Sequence, residues 1–237
     1  MANGISIEKI LFLDIETVPA WPNYKSMPDD FRLLWDHKSG YLKKSESDTP
    51  ESLFPRAGIY AEFGKIICVS AGYFHGDKFR MKSFYGDDEK KILVEFAEML
   101  NKFCKSPDYA LAAHNGKEFD FPYLSRRMLV HQIPLPVVLD NQGRKPWEVT
   151  FIDTMEMWKF GDYKHYTSLA LLSALFGLPT PKSDMDGSQV AKVYYEDRDL
   201  ERIARYCQID TLTVARLYCK FRLLEPPSDE QVVIISS

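Results

Sequence analysis

The first apolar run of the chain ends in two acids. Residues 9–16 read Lys-Ile-Leu-Phe-Leu-Asp-Ile-Glu, so the acids Asp14 and Glu16 end the run and are separated by one residue. An uninterrupted apolar run predicts a central strand covered on both faces, because a half-exposed strand alternates apolar and polar residues. Successive strand side chains point to opposite faces, so Asp14 and Glu16 should project from one face, about 7 Å apart. The pattern therefore predicts a buried strand with two carboxylates at its end.

Further along the chain, strand-like and helix-like patterns alternate, which predicts an α/β fold. Strands are predicted at 65–74, 78–85, 109–113 and 149–153. Helices are predicted from Asp87 or Asp88 to about 103, from about 122 to 130, from 168 to 176, and from 187 to 224 with a break near 197–199.

Residues 19–60 interrupt this alternation with five prolines and many polar residues, and only 29–35 show a short apolar periodicity. They predict a long insertion with one short helix, of a length typical of lids, binding loops or disorder. Trp21 and Trp35 within it either stack on a nucleobase or pack back onto the domain, and packing is the expected role. Residues from about 225 onward predict a loose tail. Without repeats or a clear linker, residues 1–237 are predicted to form one domain.

The composition, 45% hydrophobic with 14% aromatic, suits a globular protein with a sizeable core. No apolar run approaches 18 residues and no secretory signal is evident, so we expect no membrane association and a cytoplasmic location. The four cysteines form no Cys-x-x-Cys pair and lie in apolar segments, which indicates reduced core thiols. The net charge of −4 argues against a large, non-specific duplex-binding surface.

Asp-x-Glu is a weak motif on its own, since it also occurs at Asp87 and Asp199. Those two copies lie in polar surroundings at predicted helix starts, where acids complement the helix dipole. Only Asp14 and Glu16 are embedded in an apolar strand. Buried, neighbouring carboxylates lose their hydration and repel each other, and a bound divalent metal ion commonly offsets both costs. The alternative interpretation is that this strand end emerges into solvent and binds no metal.

The last predicted helix carries a further acid on its apolar face. At 100° per residue, an inward stripe is formed by Ile203, Cys207, Val214, Leu217 and Phe221. Asp210 falls within this stripe, and Tyr206 lies one turn earlier on the same side. A buried acid requires a partner, so Asp210 is a second candidate site residue.

Three segments together resemble the exonuclease motifs of the DEDD superfamily, tyrosine subtype. They are Asp14-Ile15-Glu16, the stretch 114–127 (HNGKEFDFPYLSRR) and Tyr206-Cys207-Gln208-Ile209-Asp210. The middle stretch is most similar to the proofreading exonuclease domain of family B DNA polymerases. The insertion after the first strand departs from that pattern.

The resemblance implies a ribonuclease H-like fold, a mixed central sheet flanked by helices, and two Mg²⁺ or Mn²⁺ ions. It implies that Asp14, Glu16 and Asp210 hold one ion, that Asp14 bridges to the second, and that Asp120 steadies the second. Tyr206 would orient the attacking water. Oxygen ligands suit such hard cations, which can activate water and stabilise the leaving 3′ oxygen.

By the same resemblance, Thr17 and Asn115 would contact the terminal nucleotide, although both could equally be local caps or turn residues. Weaker candidates are Asp153 and a loop with Lys182, Asp184 and Asp186, for which a solvated loop is the default. His114 and His165 are expected to be structural, because the tyrosine subtype already places a residue at the water.

The resulting hypothesis is a metal-dependent 3′–5′ exonuclease that removes mononucleotides from single-stranded DNA. Such an enzyme would act with a polymerase, as in proofreading, or with a DNA repair complex. An exoribonuclease of the same superfamily is one alternative. A non-catalytic nucleic-acid-binding module is the other, and the full set of four acids and a tyrosine argues against it.

Overall fold

The computed structural model describes residues 5–162, 166–179 and 185–235. Within them, one mixed sheet has the strand order β5-β4-β1-β2-β3-β6. The strands are β1 (Ile10–Pro19), β2 (Gly64–His75), β3 (Lys78–Tyr85), β4 (Ala110–Ala113), β5 (Ile152–Asp153) and β6 (Val232–Ile234). β1 is antiparallel to β2 and parallel to β4, so the predicted central strand is confirmed.

Helices cover both faces of the sheet. They are α1 (Asp29–Gly40), α2 (Pro50–Leu53), α3 (Glu89–Phe103), α4 (Asp120–Val130), α5 (Thr154–Lys159), α6 (Leu169–Leu175), α7 (Val190–Lys192) and α8 (Leu200–Phe221). The break expected near 197–199 is present, since Arg198 between α7 and α8 adopts a left-handed conformation with φ of 57°. No helix in the part of the chain that the structure describes is long and apolar enough to cross a membrane.

The two faces of β1 belong to different cores. Leu11 and Leu13 pack with residues of α3 and α4, whereas Ile10 and Phe12 pack with residues of α8. Because strand side chains alternate, the even-numbered positions Asp14 and Glu16 continue the face toward α8. The alternation thus directs both acids toward the helix that carries Asp210.

The insertion is more ordered than the sequence predicted. Instead of one short helix, residues 19–60 contain α1, α2 and two 3₁₀ turns, Tyr24–Ser26 and Phe54–Ile59. These elements surround a small core of their own, formed by Met27, Trp35, Leu53, Phe54, Ala57 and Phe63. Trp35 is fully buried and its indole N–H donates to the Pro50 carbonyl at 2.8 Å, so packing is its role. The aromatic residues of this core are scattered among prolines without a regular interval, so hydrophobic periodicity does not predict it.

The expectation of a loose tail was wrong. β6 pairs in parallel with β3, and a 3₁₀ turn at Asp229–Gln231 precedes it. The buried guanidinium of Arg216 on α8 donates to the Pro227 carbonyl at 3.0 Å and to Asp229 at 2.6 Å. These long-range contacts order a segment that lacks a strong local pattern. The strand predicted at 149–153 is likewise reduced to Ile152–Asp153.

Candidate active site

The first two acids of the site lie on β1 just beyond its pairing with β4. That pairing ends at Phe12, whereas β2 continues alongside, opposite Asp14 and Glu16. Glu16 is buried at 7% exposure, and Asp14 remains partly exposed. Because β4 has ended, one edge of β1 is free at this point to receive another element.

Asp120 fills that position. It is the first residue of α4, and its Oδ1 accepts a hydrogen bond from the Ile15 backbone N–H at 3.2 Å. Ile15 lies between Asp14 and Glu16 on the strand, so this bond fixes the third carboxylate beside the first two. Asp120 is 4% exposed, and burial raises its pKa to about 7 although two backbone hydrogen bonds oppose the shift.

Asp210 lies on α8, the helix that packs against the even-numbered face of β1. Burial raises its pKa to about 6, while a side-chain hydrogen bond from Tyr206 acts in the lowering direction. The pKa of the Tyr206 phenol is raised by burial and then by the charges of Asp210, Glu16 and Asp14, so this hydroxyl keeps its proton at neutral pH. The structure therefore brings together all four predicted acids and the predicted tyrosine.

The electrostatics of the cluster favour a bound cation. Burial, followed by repulsion from Glu16, Asp120 and Asp210, raises the pKa of Asp14 well above its usual range. Burial, followed by the nearby Cys68 and by repulsion from Asp210 and Asp120, also raises the pKa of Glu16. Converging carboxylate oxygens are the donors that Mg²⁺ and Mn²⁺ prefer, and a cation would relieve their repulsion. The donor set thus fits divalent metal ions.

The two expected nucleotide contacts have internal partners. The Thr17 hydroxyl donates to the Gly58 carbonyl at 2.9 Å, an acceptor it shares with the Tyr123 hydroxyl. Asn115 adopts a left-handed conformation with φ of 63°, and its N–H donates to Asp153 at 2.9 Å. Both residues therefore have local structural roles, and their contact with a nucleotide stays a prediction.

Asp153 lies at the end of β5, the strand end predicted for it, and it is not solvated. It is 3% exposed and accepts hydrogen bonds from the backbone N–H groups of Asn115, Lys117, Met155 and Glu156 at 2.9–3.4 Å. This carboxylate joins the loop after β4 to the start of α5. It thereby supports the segment that leads to Asp120.

His114 has the structural environment that was expected of it. Nε2 donates to the Thr167 carbonyl and Nδ1 lies 2.9 Å from the Thr154 hydroxyl, while burial lowers the imidazole pKa. Asp186 accepts from the Ser188 N–H and caps a short 3₁₀ turn at the surface. Lys182, Asp184 and His165 lie outside the described residues.

Two features escaped the sequence analysis. Glu89, assigned there to a polar helix start, is 6% exposed and binds Arg127 at 2.6 Å, His131 at 2.7 Å and the Ile66 N–H at 2.7 Å. Cys207, assigned to the core stripe, also places its thiol 3.3 Å from the Asp14 carbonyl oxygen. Its position next to Tyr206 and three residues before Asp210 was the available signal.

Comparison with known proteins adds to this geometry. Residues 59–233 match the model of a family described as predicted 3′–5′ exonucleases related to the exonuclease domain of PolB. The chain belongs to this family. The matched region contains Asp120, Tyr206 and Asp210, whereas Asp14 and Glu16 precede it. The chain is accordingly a PolB-like 3′–5′ exonuclease domain.

Curated relatives of this PolB-like exonuclease include archaeal DNA polymerases. It is 26% identical over 192 residues to the DNA polymerase of Pyrococcus glycovorans, covering 74% of this chain and 24% of the polymerase. For the Thermococcus gorgonarius DNA polymerase the identity is 26% over 151 residues, covering 58% and 19%. The chain therefore spans about a fifth to a quarter of the length of these relatives.

A solved structure supports the fold. The family B DNA polymerase of Pyrobaculum calidifontis superposes with a TM-score of 0.54 at 16% identity, over 90% of this chain and 24% of the polymerase. Together with the mixed sheet and its flanking helices, this likeness confirms the ribonuclease H-like α/β fold.

Proposed function

We propose that this exonuclease domain removes nucleoside monophosphates from the 3′ ends of single-stranded DNA by a hydrolysis that requires two divalent metal ions. The observation that carries the proposal is the convergence of four carboxylates from three elements. Asp14 and Glu16 come from β1, Asp120 from α4 through its bond to the Ile15 N–H, and Asp210 from α8.

In this proposal each acid has a separate position around the metal ions. Asp14, Glu16 and Asp210 would hold one ion, and Asp14 and Asp120 would contribute to holding the second. Two such cations, when bound, acidify a water molecule and stabilise the charge that develops on the leaving 3′ oxygen.

Tyr206 is the proposed positioning group for the attacking water. Its raised pKa keeps the phenol neutral, so it acts through the direction of its hydroxyl rather than as a phenolate base. Its hydrogen bond to Asp210 orients that hydroxyl at the edge of the acid cluster. The protein would thus place the water, and the metal ions would supply most of its acidity.

DNA is the proposed substrate because the curated relatives are DNA polymerases. The same relatives suggest a partner in DNA synthesis or repair. An exoribonuclease remains the second candidate, since nothing in the acid cluster distinguishes a ribose from a deoxyribose.

The test is the shortening of 5′-labelled single strands of DNA and RNA in Mn²⁺ or Mg²⁺. We expect a ladder of labelled products from DNA, no activity in excess chelator, and loss of activity in Asp14→Asn. The matched control is Asp140→Asn, which removes an equal charge from an exposed position.

Immediate release of the 5′ label as a mononucleotide would contradict the proposed polarity, and cleavage in excess chelator would contradict the metal requirement. Strand binding without any cleavage in the presence of metal would favour the non-catalytic alternative. Faster shortening of RNA than of DNA would assign the domain to the exoribonucleases.

A further inference from the structure

One side chain in the acid cluster has a chemistry that a magnesium site does not need. Cys207 on α8 is fully buried, and its sulfur lies 3.3 Å from the Asp14 carbonyl oxygen. Its Sγ, one carboxylate oxygen of Asp14 and one of Glu16 all lie within 4.8 Å of one another. Among the described residues, this is the group of donors close enough to share one ion.

The position of the thiol follows from two periodicities. On α8, Cys207 precedes Asp210 by three residues, so both side chains project toward the same side of the helix. On β1, the even-numbered face carries Asp14 and Glu16 toward that side. The thiol and the acids therefore face each other across the contact between helix and strand.

This donor set differs from that of an all-oxygen site. Mg²⁺ and Mn²⁺ prefer carboxylate oxygen and water, whereas a thiolate with carboxylates selects softer ions such as Zn²⁺ and Cd²⁺. A tetrahedral zinc site has Zn–S near ~2.3 Å and Zn–O near ~2.1 Å, which places sulfur and oxygen about 3.6 Å apart. In the structure the three donor atoms lie within 4.8 Å of one another, so metal binding would draw them together by at most about 1 Å.

We propose that Cys207, Asp14 and Glu16 form a thiophilic metal site through which Zn²⁺ or Cd²⁺ inhibits the exonuclease. The inhibitory role rests on the proposed function, because the ion would occupy two carboxylates that the catalytic ions need. Binding forms a metal–sulfur bond, and the thiol proton passes to solvent. No electron is transferred. Asp14, the partly exposed member of the three, gives the ion its route of entry.

The first test is direct binding of Cd²⁺ to the metal-free protein. Binding is monitored through the ultraviolet charge-transfer band of a cadmium–thiolate bond. We expect a saturable band in the parent and in Cys104→Ser, the control for the partly exposed thiol. In Cys207→Ser the band should be lost. In Glu16→Gln the band should persist but require at least roughly tenfold more Cd²⁺, as for loss of a metal-site interaction.

Two results would overturn the proposed site. One is an undiminished band in Cys207→Ser, and the other is equal Cd²⁺ affinity in the parent and Glu16→Gln. Should Cys207→Ser fail to fold, as judged by circular dichroism, the Glu16→Gln comparison still decides whether the ion lies between thiol and acid.

Inhibition is measured separately, as the Zn²⁺ concentration that halves strand shortening in millimolar Mg²⁺. We expect this concentration to rise at least roughly tenfold in Cys207→Ser, relative to that variant's own activity without Zn²⁺. An unchanged value would refute the inhibitory role. If no protein shortens DNA in Mg²⁺ while the Cd²⁺ bands behave as expected, the proposed function fails and the thiophilic site stands.

Discussion

Asp120→Asn offers a direct measure of what it costs to bury this carboxylate in the acid cluster. Asparagine keeps the shape of the side chain, and its Oδ1 can still accept the Ile15 N–H that Asp120 accepts at 3.2 Å. The substitution therefore removes one charge beside Asp14 and Glu16 while preserving the contact that attaches α4 to β1. Without metal, that change should stabilise the folded protein.

The magnitude follows from the shift of the pKa of Asp120 from 3.8 to about 7. Each unit corresponds to about 1.4 kcal/mol, so the full shift corresponds to about 4 kcal/mol of unfavourable energy when the carboxylate is ionised. Because the folded state holds the proton more tightly than the unfolded state, stability falls as the pH rises from about 4 to about 7. Above pH 7 the entire cost is present.

The assay is thermal unfolding in excess chelator at pH 5 and pH 8, for the parent, Asp120→Asn and the exposed control Asp140→Asn. At pH 8 we expect the free energy of unfolding of Asp120→Asn to exceed that of the parent by up to about 4 kcal/mol. At 2–4 °C per kcal/mol, this corresponds to a Tm higher by roughly 8–16 °C. The difference should shrink markedly at pH 5, where Asp120 of the parent is protonated. Asp140→Asn should follow the parent.

Millimolar Mn²⁺ should narrow this difference in stability at pH 8. The parent gains about 2.7 kcal/mol when the metal is at a hundred times its Kd, and the variant should gain less because one supporting carboxylate is absent. Equal stability of the parent and Asp120→Asn in chelator at pH 8 would refute the argument that burial and repulsion destabilise this acid. Equal gains with Mn²⁺ would show that Asp120 does not support the metal ions.

Three further predictions test other parts of the molecule. Tyr206→Phe should lower kcat by roughly 10²–10⁴ while strand binding in chelator is retained, and full activity would exclude a positioning role. Trp35→Ala should cost about 3–5 kcal/mol in urea unfolding, whereas Trp147→Ala, at an exposed position, should cost little. Glu89→Gln removes the buried charge that pairs with the partly buried Arg127 guanidinium, so it should cost about 3–5 kcal/mol, and a change below 1 kcal/mol would contradict that pairing.

The elements that carry the site could be predicted from the amino-acid sequence, because their hydrophobic patterns are local. The apolar run before Asp14 predicts β1 without knowledge of its neighbours, and strand alternation places Asp14 and Glu16 on one face. The inward stripe of α8 likewise predicts that Asp210 is directed toward the protein interior. The resemblance to known exonuclease motifs then indicated that these distant acids meet, together with Asp120.

How these acids meet depends on contacts between segments that are distant in the sequence. Asp120 reaches the site because β4 ends early and leaves the Ile15 N–H free, a contact between residues 105 positions apart. The buried state of Asp153 arises in the same way, from backbone N–H groups of two different segments. Such contacts depend on where neighbouring strands end, which no local period reveals.

The insertion core and β6 were missed for the same physical reason. Trp35 and its aromatic neighbours are brought together by turns rather than by a repeating interval, and β6 is ordered by β3 and by Arg216. Cys207 shows the limit most clearly, since its place on the apolar stripe predicted a core thiol. Its closeness to Asp14 depends on the packing of α8 against β1. Periodicity gives the direction of a side chain, whereas packing between distant segments decides what it contacts.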